Sequence, residues 1–264
     1  MVEQQNTTDL TEIYVIGDQP KPATNPNYPR LYGHHLCPFV EKARLALGAR
    51  GIKYQKCEMD LHVKAPWHVA INGGFVPILE LPDGTILHES KVLMDYAEEA
   101  YPESGYSTLP SDPVQRAQIR LAIALIDQTQ SVYYPIYMKR LGFNDEDAKN
   151  LKDKLQKIED FLAIHQKESG FAFGTENPTQ LDIHFFPLLG RLDSLKGSAL
   201  DTIGQKVDLD GNFPRIKKLI EAVRARPEFR DAVCQKIPQH HAFEDLLKLA
   251  DGERPYLKLP VRFE

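Results

Sequence analysis

Hydrophobic positions in residues 29–101 follow two different periods. Short segments with a period of two predict β-strands, and longer segments with apolar residues three or four positions apart predict α-helices. The predicted elements are, in chain order, a strand at 30–33, a helix at 38–50, a strand at 54–59, strands at 76–81 and 85–88, and a helix at 89–99. Strand–helix–strand followed by hairpin–helix predicts a thioredoxin-like sheet, with a parallel pair and an antiparallel pair of strands.

Beyond residue 112 the pattern becomes almost entirely helical. Apolar residues recur at helical spacing within 119–126 and within 151–162. Thr179 and Asp182 have the spacing of a capping box and predict the start of another apolar helix that continues to residue 195. We therefore predict an α/β, thioredoxin-like N-terminal domain followed by an all-helical C-terminal domain.

Composition divides the chain into four predicted segments. Residues 1–28 are polar and contain prolines, which predicts a flexible N-terminal arm in which 13–16 would dock locally. This arm has neither a signal-peptide core nor an Arg-rich transit pattern. Residues 29–101 are the predicted thioredoxin-like domain, 102–112 a linker with prolines and a glycine, and 113–264 the all-helical domain.

Charge and cysteine content narrow the range of partners. The 264 residues carry a net charge of −5, which argues against nucleic acid or an anionic membrane as the main partner. No apolar run approaches the ~20 residues needed to span a bilayer, so we expect no membrane span. The cysteines at 37, 57 and 234 form neither a disulfide framework nor a metal-type cluster. We therefore expect no bound metal and a reducing, cytoplasmic location.

Cys37 is the strongest candidate for chemistry. Pro38 follows it, and proline is favoured at the first helical position because its missing N–H would have no partner there. The thiol should thus lie at a helix N-terminus, where unpaired N–H groups and the helix dipole favour an anion. This environment should lower the pKa of the thiol and make it reactive near neutral pH. Cys57 is expected to face the packed core. Position 40 is Val, which excludes a glutaredoxin or thioredoxin mechanism that uses two thiols.

The order of several short motifs resembles that of cytosolic glutathione transferases. The motifs are Leu31-Tyr32, Cys37-Pro38-Phe39, Val76-Pro77-Ile78-Leu79-Glu80, Glu89-Ser90 and Thr179-Gln180-Leu181-Asp182. The Cys-Pro-Phe sequence is similar to that of the omega class and of its cysteine-type relatives, the lambda class and the dehydroascorbate reductases. The long segment after Pro227 is also typical of the omega class. The resemblance implies the glutathione transferase fold, glutathione as co-substrate and a homodimer.

The resemblance also implies how the reactive centre is built. Cys37 matches the catalytic cysteine of this class, and Phe39 would line the pocket beside its thiol. Val76 precedes Pro77, and the family likeness implies a cis bond between them. The backbone N–H and C=O of Val76 would then pair with the peptide backbone of glutathione.

Three further residues match positions that bind the charged ends of glutathione in the family. Ser90, with neighbouring N–H groups at a helix start, would bind the γ-glutamyl carboxylate, and Glu89 would accept from its ammonium group. Lys64 matches a lysine near the glycyl carboxylate. The segment 72–75 is shorter than its family counterpart, which leaves the shape of the adjoining loop open.

A single thiol implies a particular mechanism. Cys37 would form a mixed disulfide with glutathione, and a second glutathione would resolve it. We therefore expect thiol transfer or dehydroascorbate reduction rather than conjugation to electrophiles. The second substrate would be a small thiol, a disulfide or dehydroascorbate. It is expected near Gln128, Tyr133, Tyr134 and Tyr137.

Two other classes of protein stay open as alternatives. Chloride intracellular channel proteins share the Cys-Pro-Phe start, but the predicted first helix here carries charged residues such as Lys42 and is too polar to span a membrane. A non-catalytic, transferase-like interaction module in a larger assembly is the second alternative. The presence of Cys37, Glu89 and Ser90 argues against such a degenerate site.

Overall fold

The computed structural model describes residues 9–127, 134–139, 142–250 and 257–264. The chain splits into two compact units, which are Met1–Tyr106 with Tyr256–Arg262, and Ser107–Pro255 with Phe263–Glu264. The division at Tyr106 falls within the predicted linker, 102–112. The C-terminal residues differ from the prediction, because Tyr256–Arg262 belongs to the first unit although residues 113–264 were all assigned to the helical domain.

A mixed five-stranded sheet forms the centre of the first unit. Its strands are β1 (Ile13–Val15), β2 (Arg30–Gly33), β3 (Gln55–Met59), β4 (Ile78–Glu80) and β5 (Ile86–His88). The order across the sheet is β1-β3-β2-β4-β5. Strand β3 is parallel to β1 and β2, whereas β4 is antiparallel to β2 and β5. The predicted thioredoxin-like fold class is confirmed.

Strand β1 lies in the segment that was predicted to be a flexible arm. Ile13 pairs with Cys57 and Val15 with Met59, which makes β1 an edge strand of the sheet. Both Ile13 and Val15 are buried, and the residue between them is exposed. A three-residue alternation is too short to be distinguished from chance in the sequence, so the pairing with β3 is what defines this strand.

Three helices complete the first unit. They are α1 (Pro38–Ala49), α2 (Pro66–Asn72) and α3 (Ser90–Ala100), and α1 packs against α3. Helix α2 was not predicted, because its seven residues include one buried side chain, His68, and show no clear period. Cys57 is fully buried in the core with Tyr32 and Met59, as its position in the alternating pattern of β3 predicted.

The described part of the second unit consists of helices and their connections. These are α4 (Pro113–Asp127), α5 (Tyr134–Lys139), α6 (Asp145–His165), α7 (Gln180–Asp193), α8 (Asp201–Val207), α9 (Leu209–Asn212), α10 (Pro214–Arg224), a 3₁₀ turn (Pro227–Phe229) and α11 (Lys236–Leu246). Every residue of α7 is buried, and α7 packs against α4 and α10. Within the described ranges, no helix is long and apolar enough to cross a membrane.

The predicted capping box at the start of α7 is present. One carboxylate oxygen of Asp182 accepts from the backbone N–H of Thr179 at 2.7 Å and from its hydroxyl at 2.8 Å. The other oxygen accepts from the N–H of Ala172 at 2.7 Å, which ties the preceding loop to the helix. Asp182 is fully buried, and burial raises its pKa to about 6.

Candidate functional site

Cys37 lies at the N-terminus of α1. It is the N-cap residue, with an extended backbone (φ −78°, ψ 121°), and Pro38 occupies the first helical position. Its N–H donates to the carbonyl of His34 at 2.9 Å, and its carbonyl accepts from the N–H of Glu41 at 3.0 Å. The first N–H groups of a helix have no intrahelical acceptor, so the thiol lies where an anion is stabilised.

A close approach between β2 and α1 fixes the position of this helix. A Cβ atom added to Gly33 would lie 2.4 Å from a methyl carbon of Val40, well inside van der Waals contact. Any larger residue at 33 would push α1 away from the sheet and move Cys37 with it. Glycine is therefore required here for steric reasons rather than for chain flexibility.

The ring of His34 makes contacts with both of its nitrogens. Nδ1 accepts from the N–H of Leu36 at 3.1 Å, and Nε2 lies 3.0 Å from the carbonyl oxygen of Lys258. A carbonyl is an acceptor, so Nε2 carries the proton and Nδ1 does not. His34 is fully buried, and burial lowers its pKa, which agrees with a neutral ring.

A buried ion pair lies beside the same loop. Arg44 of α1 pairs with Glu58 of β3, and both side chains are almost completely buried. The N–H of His35 donates to the second oxygen of Glu58 at 2.7 Å. Burial, with a contribution from the Arg44 charge, lowers the pKa of His35 to about 4. Sequence reasoning missed this pair, since nothing in the sequence around Arg44 or Glu58 marks them as partners.

Phe39 is an exposed aromatic residue two positions after Cys37. It is 38% exposed, and Nζ of Lys42 lies 5.3 Å from the centre of its ring. Lys42 itself is buried. A cation in this position is attracted to the ring face and orients the aromatic side chain.

The loop before β4 contains Val76, another predicted site residue. The expected cis bond joins Val76 to Pro77. The carbonyl of the preceding residue, Phe75, accepts from Nδ2 of Asn72 at 3.1 Å and lies 2.8 Å from Nε2 of His68. These contacts define the shape of the loop that the sequence left open.

Lys64 is exposed and lies beside this loop. Its Nζ is 5.2 Å from the ring centre of Phe75. Gly74 has a φ of 73°, and a Cβ there would meet the Lys64 side chain at 2.6 Å, so a residue other than glycine would be strained and would displace the lysine. The structure thus brings Lys64 next to the segment that ends at Val76.

Glu89 and Ser90 form the start of α3. Glu89 has a φ of 73°, which is rare for a residue with a side chain and costs on the order of 1–3 kcal/mol. Its side chain is exposed, whereas Ser90 is buried as the first helical residue. Backbone strain of this kind is concentrated at functional sites, where surrounding structure maintains it.

Sheet topology brings these segments to one edge of the sheet, the one at which the parallel strands β2 and β3 end. Tyr32 of β2 pairs with Ile78 of β4, and Ile78 pairs with His88 of β5, in antiparallel register each time. The C-terminal ends of β2 and β5 therefore lie at the same edge as the N-terminal end of β4. Strand β3 is parallel to β2, so its C-terminal end lies there too. The segments that carry the six predicted residues start or end at this edge; the residues are Cys37, Phe39, Lys64, Val76, Glu89 and Ser90.

The residues expected near a second substrate are described only in part. Gln128, Tyr133 and the side chain of Tyr134 lie outside the described residues. Tyr137 of α5 is half-buried, and burial raises its pKa. In the part of the chain that the structure describes, no group of three or more His, Cys, Asp or Glu side chains is arranged to hold a metal ion.

Comparisons with known proteins agree with the fold and with the motifs. The family model "Glutathione S-transferase, N-terminal domain" matches residues 31–105. Pig (Sus scrofa) glutathione S-transferase omega-1 is 30% identical over 172 residues, which cover 63% of this chain and 68% of the relative. Human (Homo sapiens) glutathione S-transferase omega-2 is 24% identical over 250 residues, 94% of this chain and 96% of the relative.

Among solved structures, glutathione transferase Omega 1C from Trametes versicolor is similar to this chain with a TM-score of 0.68 and 25% sequence identity. The match covers 83% of this chain and 95% of the fungal protein. The similarity therefore extends from the thioredoxin-like part into the helical part of the fold.

Proposed function

Because this chain belongs to the glutathione S-transferase family, we propose that it is an omega-type, glutathione-dependent thiol transferase and dehydroascorbate reductase whose catalytic residue is Cys37. The observation that carries the proposal is the position of Cys37 at the N-cap of α1. In that position the helix terminus would stabilise the thiolate form, which is the nucleophile in thiol–disulfide exchange.

Glutathione would bind along the sheet edge described above. Ser90 and the first N–H groups of α3 would bind its γ-glutamyl carboxylate, and Glu89 would accept from its ammonium group. The backbone of Val76 would pair with the peptide part, while Lys64 would lie near the glycyl carboxylate. The side chains of Lys64 and Glu89 are exposed, so both charges are available to a ligand.

The proposed reaction needs one protein thiol. The Cys37 thiolate attacks the glutathione sulfur of a mixed disulfide, the S–S bond breaks, and the substrate leaves as a thiolate that takes up a proton. Cys37 then holds glutathione in a disulfide. The thiolate of a second glutathione attacks the bound glutathione sulfur, which releases Cys37 and forms oxidised glutathione.

Reduction of dehydroascorbate would consume two molecules of free glutathione. Their thiols become oxidised glutathione, and the substrate gains two electrons and two protons. All three cysteines are buried, so the proposal of a single catalytic thiol rests on the position of Cys37 at the N-cap of α1 and not on burial. We further infer a cytoplasmic homodimer whose partners are glutathione and a small substrate, with no nucleic acid, membrane or metal.

The test is a mass spectrum recorded after incubation with oxidised glutathione. The expected result is one glutathionyl adduct per chain, mapped to Cys37, and none in the Cys37→Ser variant. No adduct in the native protein would favour the alternatives, which are a non-catalytic interaction module or a protein similar to the chloride intracellular channels. An adduct on Cys57 or Cys234 would contradict the assignment of Cys37.

A further inference from the structure

The C-terminal segment, residues 257–262, contacts the rest of the first unit through its backbone. The carbonyl of Leu257 accepts from the N–H of Leu61 at 2.9 Å, and the carbonyl of Lys258 lies 3.0 Å from Nε2 of His34. The N–H of Leu259 is 3.4 Å from Oδ2 of Asp60. The segment thus contacts two separate loops, the one that precedes α1 and the one that follows β3.

One of these contacts leads directly to the reactive cysteine. The ring of His34 contacts the Lys258 carbonyl, while the backbone carbonyl of the same residue accepts from the N–H of Cys37 at 2.9 Å. Nδ1 of His34 accepts from Leu36, which fixes the ring within its own loop. A shift of the C-terminal segment would therefore move a residue whose backbone holds the cap of α1.

The contacts of Leu257 and Leu259 involve the segment immediately before Lys64. Oδ1 of Asp60 accepts from the N–H of His62 at 2.7 Å and from that of Val63 at 3.0 Å, which forms the turn immediately before Lys64. The second oxygen of Asp60 faces the N–H of Leu259. The same carboxylate therefore shapes this turn and attaches it to the C-terminal segment.

We propose that the C-terminal segment holds the loop between β2 and Cys37 in place relative to the turn that immediately precedes Lys64. We also propose that His34 is a positioning residue for the Cys37 thiol. This inference rests on the proposed function, since Cys37 and Lys64 are its catalytic and ligand-binding residues. The three contacts described above are made by backbone atoms of the segment. The side chain of Lys258 is exposed, so its identity should matter little.

Two substitutions of His34 separate its two contacts. His34→Gln places an amide N–H near the position of Nε2 and keeps a donor for the Lys258 carbonyl, but it loses the acceptor for Leu36. His34→Asn places an oxygen near the position of Nδ1 and keeps that acceptor, but it cannot reach Lys258. Lys258→Ala is the matched control, because it changes the side chain and keeps the carbonyl.

The readout is the rate of alkylation of Cys37 by iodoacetamide as a function of pH, in full-length protein whose fold is verified by circular dichroism. A displaced thiol should react more slowly, so we expect His34→Asn to lower the rate at pH 7 by about tenfold and to raise the apparent pKa of the thiol. His34→Gln and Lys258→Ala should stay within about threefold of the native rate. Equal rates in the Asn and Gln variants would overturn the proposal.

Hydrogen exchange in the native protein provides a test that needs no variant. If the C-terminal segment is fastened as proposed, the amides of Leu61 and Leu259 should exchange slowly. Exchange at the rate of an unstructured peptide would overturn the proposal. Neither this measurement nor alkylation requires glutathione, so a failure of the proposed function, seen as a missing glutathionyl adduct, is distinguishable from a failure of the inference.

Discussion

The backbone N–H of His35 donates to Oε2 of Glu58 at 2.7 Å, and the other oxygen of this carboxylate pairs with Arg44. Arg44 belongs to α1 and Glu58 to β3, so one buried carboxylate joins the helix, the strand and the loop that carries Cys37. Removal of one partner from a buried ion pair leaves an uncompensated charge. The arrangement of this loop therefore depends on the buried charges of Arg44 and Glu58.

The protein should lose stability in acid through His35. Burial, with the charge of Arg44, lowers the pKa of His35 from 6.5 to about 4 in the folded state, and Glu58, His34 and Lys56 also act on it. The unfolded chain therefore takes up this proton first as the pH falls. The contribution of neutral His35 to stability is complete above pH 6.5 and is lost as the pH falls from 6.5 towards 4.

The variant His35→Gln removes the titrating group. Urea denaturation at pH 7, 5.5 and 4.5 measures the free energy of unfolding. In the native protein, the titration of His35 should lower this free energy by at most about 1.4 kcal/mol for each unit by which the pH falls. The slope in His35→Gln should be shallower over this range. Identical slopes in the two proteins would contradict the buried, neutral state of His35.

Cys37 should be alkylated faster than the other two cysteines at neutral pH. Cys37 has a helix N-terminus to stabilise its thiolate, whereas burial raises the pKa of Cys57. Peptide mapping after brief treatment of the folded protein with iodoacetamide measures the three rates. Equal labelling of all three sites would be incompatible with the assignment of Cys37, and labelling in denaturant is the control for complete detection.

Cys37→Ser should abolish thiol transfer and retain the binding of glutathione. The hydroxyl of serine cannot form the mixed disulfide, but the proposed binding groups at Ser90, Glu89 and Lys64 are unchanged. Weak conjugation to electrophiles could be gained, since glutathione would no longer be trapped as a disulfide. Calorimetric titration measures the binding of glutathione, and a thiol-transfer assay measures the lost activity. Thiol transfer by the serine variant would rule out Cys37 as the nucleophile.

Ser90→Ala should weaken the affinity for glutathione by roughly 1.5–3 kcal/mol, because it removes the proposed hydrogen bond to the charged γ-glutamyl carboxylate. Calorimetric titration gives the dissociation constants. Ser104→Ala is the control, since Ser104 follows the opposite end of α3 and its hydroxyl donates to the carbonyl of Arg50. Unchanged affinity in Ser90→Ala would mean that Glu89 and Ser90 only begin the helix.

Thr179→Ala should destabilise the protein by about 1–2 kcal/mol, because it disrupts a buried capping box at the start of α7. Asn144→Ala tests the equivalent box at the exposed start of α6 and should cost about 0.5–1 kcal/mol. Urea denaturation measures both. Thr179 and Cys37 belong to different units, so loss of catalysis in a fully folded Thr179 variant would contradict the predicted domain plan.

Local signals account for the part of the structure that the sequence predicts well. Pro38 after Cys37 indicates the start of α1, and the spacing of Thr179 and Asp182 indicates the start of α7. Each signal involves residues within a few positions of one another, and each acts through backbone groups that any helix start leaves unpaired. The same reasoning applies to the start of α3, which is predicted at Glu89 and observed at Ser90.

Contacts between residues that are far apart in the chain could not be predicted from the sequence. His34 and Lys258 are 224 positions apart, and Leu259 lies 199 positions from Asp60. In both cases the C-terminal segment contributes a backbone group: Lys258 a carbonyl, which every residue type has, and Leu259 an N–H, which every residue type except proline has. The ion pair between Arg44 and Glu58 could not be predicted from the sequence either. Charged residues are common, and whether these two are buried depends on how α1 packs against the sheet.

The composition of the first unit, Met1–Tyr106 with Tyr256–Arg262, has a consequence for biosynthesis. Domains generally fold as they leave the ribosome, the N-terminal one first. Here the sheet of the first unit emerges early, but Leu257 and Leu259 are translated after α4–α11. The first unit to begin folding therefore acquires its last hydrogen bonds only after the helices of the second unit have been synthesised.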